Sequence, residues 1–389
     1  MGGIMKVLIL TSSTGKGHDM QAQAIQDWAH IDPDHNYEIH ICKPLEDSHL
    51  LYAFGVGIYN WIQKTKPLLH HLYYNFLEWT SIVRCTRPLG SDRFRSVLEK
   101  IRPDIIISVH DSLNHGFLEF AREVLGKDCV LCITYCSELS GGYGFSRHWV
   151  NPSADLFIGA VKETCDEAVR LGMNANKTYV GGFLARPNFY CTSLYAQSRE
   201  VYIREELKLD PNSFILLMLA SGRGAQNHVR LLEEIRNNLE NFQVVVLCGQ
   251  STRSWSEVFN WSRINTGLTI RLLPHDENVG RLMHSVSAVI ARPGGGSISE
   301  AIVSRCPLIL NCIGGLMPQE IINVKYCIQN DLGVKVRKPK DLVDLLISWK
   351  SNSKKISEIS ERMKNLNALN GPVNLLKKAK EYSITRTGK

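Results

Sequence analysis

No uncharged apolar run in this 389-residue chain reaches the roughly 18 residues that a membrane-spanning helix needs. The longest, at about 50–62, stops short, so any membrane association is expected to be peripheral. A secretory leader is not expected either, because residues 1–10 lead straight into a strand-like run with no small-residue cleavage site. The eleven cysteines lack metal-like spacing. Cys129, Cys132 and Cys136 come nearest, but 128–136 (DCVLCITYC) alternates as a buried strand does and no ligand-rich segment answers it. They read as reduced core thiols of a cytoplasmic protein. Asp32, Pro33 and Asp34 spell an Asp-x-Asp metal motif, yet Pro33 makes the segment a turn. A P-loop is excluded because the Gly-Lys pair at 15–16 lacks both the earlier glycine and the following Ser or Thr. Nucleic-acid binding has no recognisable motif behind it.

What the chain does have is enough length for two cores of roughly 150 to 200 residues each. Apolar residues make up 44% and charged residues 21%, the balance of a folded protein rather than a disordered one. The net charge of +7 is concentrated: from Lys350 onward ten basic residues face three acidic ones, which accounts for all of it. Such a tail favours an anionic surface. Short apolar runs at 6–11, 37–42, 105–109, 130–135, 155–159 and 177–180 read as buried parallel strands, with helices at 19–30 and 163–171. The pattern restarts with strands at 214–220, 244–247, 269–272, 288–290 and 308–311 and a helix at 229–239. The expected fold is α/β: two Rossmann-like, doubly wound domains at 1–187 and 198–366 with a ligand cleft between them. A basic segment, 367–389, has room to pack back on the first domain.

Three glycine-bearing segments carry chemistry. In 289–300 (VIARPGGGSISE) a strand runs into Gly294, Gly295 and Gly296, with a helix expected from about Ser297. Bare backbone N–H groups and the positive end of a helix dipole then converge on one point, which suits a diphosphate. Arg292 adds a full charge, Ser297 is placed to cap the helix, and Glu300 to accept hydrogen bonds from ribose hydroxyls. In 314–320 (GGLMPQE) the adjacent amide and carboxylate of Gln319 and Glu320 suit the vicinal hydroxyls of a sugar, with Asn323 just beyond. In 11–18 (TSSTGKGH) a glycine turn after the first strand delivers His18, whose ordinary pKa lies near physiological pH. His18 is assigned either to acceptor activation or to binding an anionic group.

Together these residues resemble one glycosyltransferase family. It contains plant and bacterial monogalactosyldiacylglycerol synthases, bacterial processive diacylglycerol glucosyltransferases and the GlcNAc transferase of peptidoglycan lipid intermediates. The resemblance implies the two-domain GT-B architecture, a UDP-sugar substrate, no essential metal and inversion at the anomeric carbon. It places diphosphate and ribose on Gly294, Gly295, Gly296, Ser297 and Glu300, and the sugar on Gln319 and Glu320. Ile322 stands where the family usually has glycine before Asn323. Weaker matches are 103–110, which ends at His110 beside Asp111, the link 182–189, and a second glycine loop bearing Gly222, Arg223 and Gly224.

Residues 50–95 interleave aromatic and basic side chains, among them Trp61, Lys64 and Trp79, as suits a membrane interface. With Gly15, Gly17, His110, Asp111 and Trp149 they form the expected acceptor and lipid side. The partners implied are a UDP-sugar, a lipid acceptor such as diacylglycerol and an anionic membrane surface, met from the cytoplasmic side. The loop 135–149 is where the chain leaves its relatives: Tyr135 stands where the diacylglycerol enzymes carry Asp. A UDP-sugar 2-epimerase of the same fold would leave His18 and the aromatic segment without a task. A non-catalytic nucleotide- and lipid-binding module would be expected to have lost its donor residues.

Overall fold

A computed structural model describes residues 4–14, 17–33, 36–65, 69–80, 87–220, 227–249, 251–273, 278–366 and 370–387. The chain divides into two compact units. Unit 1 takes Met1–Arg186, Met317–Ile322 and Leu369–Lys389; unit 2 takes Pro187–Leu316 and Asn323–Ala368.

Unit 1 begins with β1 (Met5–Leu10), α1 (Gly17–His30), β2 (Tyr37–Cys42), α2 (Pro44–Ser48), α3 (Leu50–Thr65), α4 (Leu69–Thr80) and α5 (Ser91–Ile101). It continues through β3 (Ile105–Ser108), α6 (Phe117–Leu125), β4 (Leu131–Cys136), β5 (Leu156–Gly159), α7 (Lys162–Arg170) and β6 (Thr178–Val180). Its six strands are all parallel, in the order β2-β1-β3-β4-β5-β6. The runs VLIL and IIIS bury every side chain, as central strands covered on both faces must. Chain order reverses between β1 and β3, the kind of switch point at which open α/β sheets bind ligands beyond their carboxyl ends. α1 starts two residues earlier than the sequence pattern implies, so His18 lies in its first turn. Cys132 and Cys136 are buried on β4, but Cys129 is exposed, because the strand begins only at Leu131.

Unit 2 holds α8 (Thr192–Val201), β7 (Phe214–Leu219), α9 (His228–Asn238), β8 (Phe242–Leu247), α10 (Thr252–Ile264), β9 (Thr269–Leu273) and α11 (Val279–Ser285). Then come β10 (Ala288–Ala291), α12 (Gly295–Val303), β11 (Leu308–Asn311), α13 (Pro318–Gln329), β12 (Gly333–Val336), α14 (Pro339–Ser351) and α15 (Ser353–Leu366). The first turn of α13 clusters with unit 1 and the rest of that helix with unit 2. The sheet is again parallel, in the order β9-β8-β7-β10-β11-β12, with its reversal between β7 and β10. Strand β12 has no counterpart in the sequence reading. Its four residues GVKV expose the middle two, so no apolar run marks it. Gly333 is needed there because a side-chain carbon would sit 2.3 Å from the Leu308 carbonyl oxygen.

The chain's last helix, α16 (Gly371–Thr387), buries Leu375, Leu376 and Ala379 and packs on α1 of unit 1. Its cations are partly engaged: the Lys378 ammonium lies 4.9 Å from the Tyr179 ring centroid. Among the described residues no helix is long and apolar enough to cross a membrane.

Candidate functional site

In unit 1 the loops after β1 and β3 meet at the switch point. His18 Nδ1 lies 2.8 Å from the Val109 carbonyl oxygen, so that nitrogen carries the proton and donates it. Nε2 is then the ring's lone-pair nitrogen. Burial, reinforced by the His110 ring 4.5 Å away between centroids, pushes the His18 imidazole down to about 4. His110 is itself buried, with Nε2 on the Thr14 hydroxyl and Nδ1 3.1 Å from the Ser112 N–H. Burial alone would raise the Asp111 carboxyl. His110, with Nδ1 3.1 Å from Asp111 Oδ1, and then His148 and His18 hold it well below the usual carboxylate range.

These groups face a cavity of about 760 Å³ walled by α3, α4 and the loops after β3 and β4. Tyr52, Val56 and Tyr59 enter it from α3, Tyr73 and Tyr74 from α4. The loop 135–149 contributes Glu138, Gly144 and 146–149 to the wall. Tyr135, the departure noted in the sequence, does not face the cavity. Its ring is fully buried and its hydroxyl donates to the Gly182 carbonyl at 2.7 Å. Trp149 is a cavity residue and a core residue at once: 2% exposed, it packs with Cys136, Phe145 and Phe157 while its ring lies 6.1 Å from that of His18.

Asn114, fully buried, pins this wall in place, and nothing in its sequence context marks it. Its amide nitrogen donates to the carbonyls of His148 (3.1 Å) and Trp149 (3.4 Å), and its oxygen accepts from the Thr134 hydroxyl at 3.1 Å. Asn114→Leu would strand three buried polar groups. It is expected to cost about 2–4 kcal/mol of stability, read by urea denaturation; an unchanged midpoint would refute the pinning role.

Other residues of the expected acceptor side fall elsewhere. Gly17 opens α1 and is exposed, and Trp61 on α3 is 57% exposed and away from the cavity wall. Gly15 lies outside the described residues, as do the side chains of Lys64 and Trp79.

In unit 2 the turn after β10 lies at that sheet's own switch point. Helix α12 starts at Gly295 with Gly294 as its N-cap residue, so Ser297 does not cap it but is its third residue. Gly294 closes the turn early, its N–H donating to the Arg292 carbonyl at 2.9 Å. Gly295, Gly296 and Ser297 therefore carry N–H groups that an α-helix leaves without intrahelical partners. Gly294 has φ −76°, a value any residue adopts, and a side-chain carbon there would meet no protein atom within 4 Å. Glu300 falls in the second turn of α12 and is half-buried. The Arg292 guanidinium has a structural task that the sequence did not disclose. It donates to the carbonyls of Ile313 (3.1 Å) and Gly315 (2.8 Å), tying the loop after β11 to the turn after β10. Asn323, fully buried, is 3.4 Å from the Pro293 carbonyl. Gly222, Arg223 and Gly224 lie outside the described residues.

Gln319 and Glu320 open α13 and belong to unit 1. Glu320 is 2% exposed and accepts from the Met317 N–H at 2.8 Å, a cap on its own helix. Gln319 lines the unit 1 cavity, with Nε2 3.2 Å from the Tyr59 hydroxyl.

Two parallel six-stranded sheets, each with a ligand-type turn at its switch point, define a GT-B glycosyltransferase architecture. MurG from Acinetobacter baumannii has it with a TM-score of 0.61 at 13% identity, covering 97% of this chain and 99% of its own. A UDP-GlcNAc 2-epimerase from Neisseria meningitidis, solved bound to UDP-GlcNAc, matches at 0.58 and 11% over 99% and 100% of the two chains, so the fold by itself does not separate the two activities. Sequence does. Residues 18–183 match the Monogalactosyldiacylglycerol (MGDG) synthase family and 217–313 the Glycosyltransferase family 28 C-terminal domain. Monogalactosyldiacylglycerol synthase 2, chloroplastic, of Arabidopsis thaliana is 25% identical over 383 residues, 94% of this chain and 78% of the relative. The chain is a glycosyltransferase, similar in its first half to the monogalactosyldiacylglycerol synthases and in its second to the family 28 C-terminal domain.

Proposed function

We propose that this enzyme transfers a hexose (galactose, glucose or GlcNAc) from a UDP-sugar to a lipid hydroxyl, such as that of diacylglycerol, with inversion at the anomeric carbon. The observation that carries the reading is His18. It stands at the wall of an aromatic cavity with Nδ1 committed to a carbonyl and a pKa lowered to about 4. A ring that is neutral at pH 7 is a proton acceptor and not an anion-binding cation, which favours the first of its two assigned roles.

In the proposed step the acceptor hydroxyl gives its proton to His18 Nε2 as its oxygen bonds to the anomeric carbon. The bond from that carbon to the diphosphate oxygen breaks, and UDP leaves with the electron pair. The free N–H groups of Gly295, Gly296 and Ser297, at the positive end of α12, stabilise the charge on the departing diphosphate. Glu300 holds the ribose, and Gln319 and Glu320 the hexose. Because the dipole and N–H groups supply that stabilisation, no metal is required by the scheme.

The lipid side rests on α3 and α4. While Tyr52, Val56 and Tyr59 face the cavity, Leu50, Phe54 and Trp61 lie exposed along the other side of α3, with Leu72 and Phe76 exposed on α4. Exposed apolar rows mark an interaction surface, and here they suit a membrane, proposed to be anionic and met at its cytoplasmic face. Phe54→Ser with Trp61→Ser is expected to weaken partitioning onto anionic phospholipid vesicles by at least about 10-fold while leaving UDP affinity unchanged; undiminished co-sedimentation would sink the surface. The activity itself is tested by incubating the protein with labelled UDP-galactose, UDP-glucose or UDP-GlcNAc and total membrane lipid. Label in the organic phase supports the proposal, and UDP release without it defeats the lipid acceptor.

A further inference from the structure

We propose that Tyr59 is a positioning residue that orients the Gln319 amide and thereby sets which donor hexose is accepted. This rests on the reading above that Gln319 contacts the sugar. The side-chain nitrogen of Gln319 has two acceptor neighbours, the Tyr59 hydroxyl at 3.2 Å and the Met317 thioether sulfur at 3.8 Å. A thioether accepts hydrogen bonds and never donates them, so the amide presents N–H to this pair. Gln319 Oε1 is thereby left as the group offered to a ligand: an acceptor, selecting a sugar hydroxyl that donates toward it.

The anchor is firm. The Tyr59 ring packs edge-on against His70 (centroids 4.9 Å) and Tyr73 (6.0 Å), and burial pushes its hydroxyl well above the usual tyrosine range, so it stays protonated. The backbone beneath Gln319 is fixed as well. Glu320 holds the Met317 N–H, and Gly144 presses on the Pro318 carbonyl so closely that a side-chain carbon there would lie 2.0 Å from the oxygen. With backbone and anchor both set, the amide's remaining freedom is a flip about its last torsion. The Met317 sulfur, an acceptor only, dictates that the N–H side faces this pair, and the Tyr59 hydroxyl supplies the shorter bond that holds it there. Without that hydroxyl only the 3.8 Å contact with the sulfur holds the amide, and its orientation toward the sugar is weakly defined.

The test is isothermal titration of UDP, UDP-galactose, UDP-glucose and UDP-GlcNAc into the full-length protein and its Tyr59→Phe, Gln319→Ala and doubly substituted variants. Tyr59→Phe keeps the ring and its packing, and a melting curve equal to that of the unaltered protein verifies this. The expected result is unchanged affinity for UDP, a roughly 3- to 10-fold loss for the preferred UDP-hexose and a smaller spread among the three sugars. The double variant should bind no worse than Gln319→Ala alone, since Tyr59 acts through that amide. Unchanged sugar ratios in Tyr59→Phe, losses that add in the double variant, or equal losses for UDP and UDP-hexoses would each overturn the proposal. If Gln319→Ala itself leaves the sugar ratios untouched, the failure lies in the reading of Gln319 as a sugar contact, and the inference falls with it.

Discussion

His18→Ala is expected to lower kcat by roughly 10²- to 10⁴-fold, the usual contribution of a positioned general base, and to leave UDP affinity unchanged. The pH dependence tests the same residue more stringently. A base must be unprotonated to act, so activity is present above its native pKa and lost as pH falls through it. With that pKa lowered to about 4, the acid limb of kcat/KM should fall near pH 4 instead of at 6.5, where an ordinary imidazole would put it. The same shift has a stability consequence of fixed sign. Between 6.5 and about 4 the unfolded chain binds a proton on His18 that the native one does not, so this group's contribution to stability declines as pH falls through that window. A limb at 6.5 or above, or an equal loss of UDP binding in the variant, would remove His18 from the role of base. Asp111→Asn should move this acid limb only slightly, and downward, since the Asp111 carboxylate raises the His18 pKa through space while His110 takes its direct contact.

The second large effect is expected at Gly294→Val. The backbone there needs no glycine and the surrounding protein leaves the position open, so folding gives no reason for the missing side chain. A diphosphate seated on the N–H groups of Gly295, Gly296 and Ser297 does give one, because a side chain at 294 would stand where the phosphate approaches. Losing one charge-assisted hydrogen bond corresponds to about 1.5–3 kcal/mol. UDP affinity should therefore fall on the order of 10- to 100-fold, with the melting temperature unmoved. Gly333→Val is the contrast: its side chain would collide with the Leu308 carbonyl, so it should destabilise the protein first and affect UDP only as a result. Should Gly294→Val bind UDP normally, the α12 turn is not the diphosphate site.

Much of the molecule was legible in the residues alone, for reasons that can be named. Central parallel strands are covered on both faces, so VLIL at 7–10 and IIIS at 105–108 announce themselves as apolar runs. β12 did not, because an edge strand with its two middle residues exposed leaves no such run. The start of α12 was misplaced by two residues because a serine is the usual cap. Here the Gly294 N–H closes the turn on the Arg292 carbonyl, which the residue names do not reveal. Arg292 read as a cation for phosphate, and only the fold shows its nitrogens on the carbonyls of Ile313 and Gly315.

The class is carried by features whose physics is local: strand and helix periodicities, and the glycine-rich turns at 11–18, 289–300 and 314–320. The tertiary structure decided how they act. Local periodicity is silent on strand order, and strand order is what sets the loop after β1 beside the loop after β3, so that Val109 and His110 bury His18 and leave it neutral. It likewise decided that Gln319 meets Tyr59 across 260 residues of sequence, through a hydrogen bond that exists only once α3 and the start of α13 have packed into the same unit.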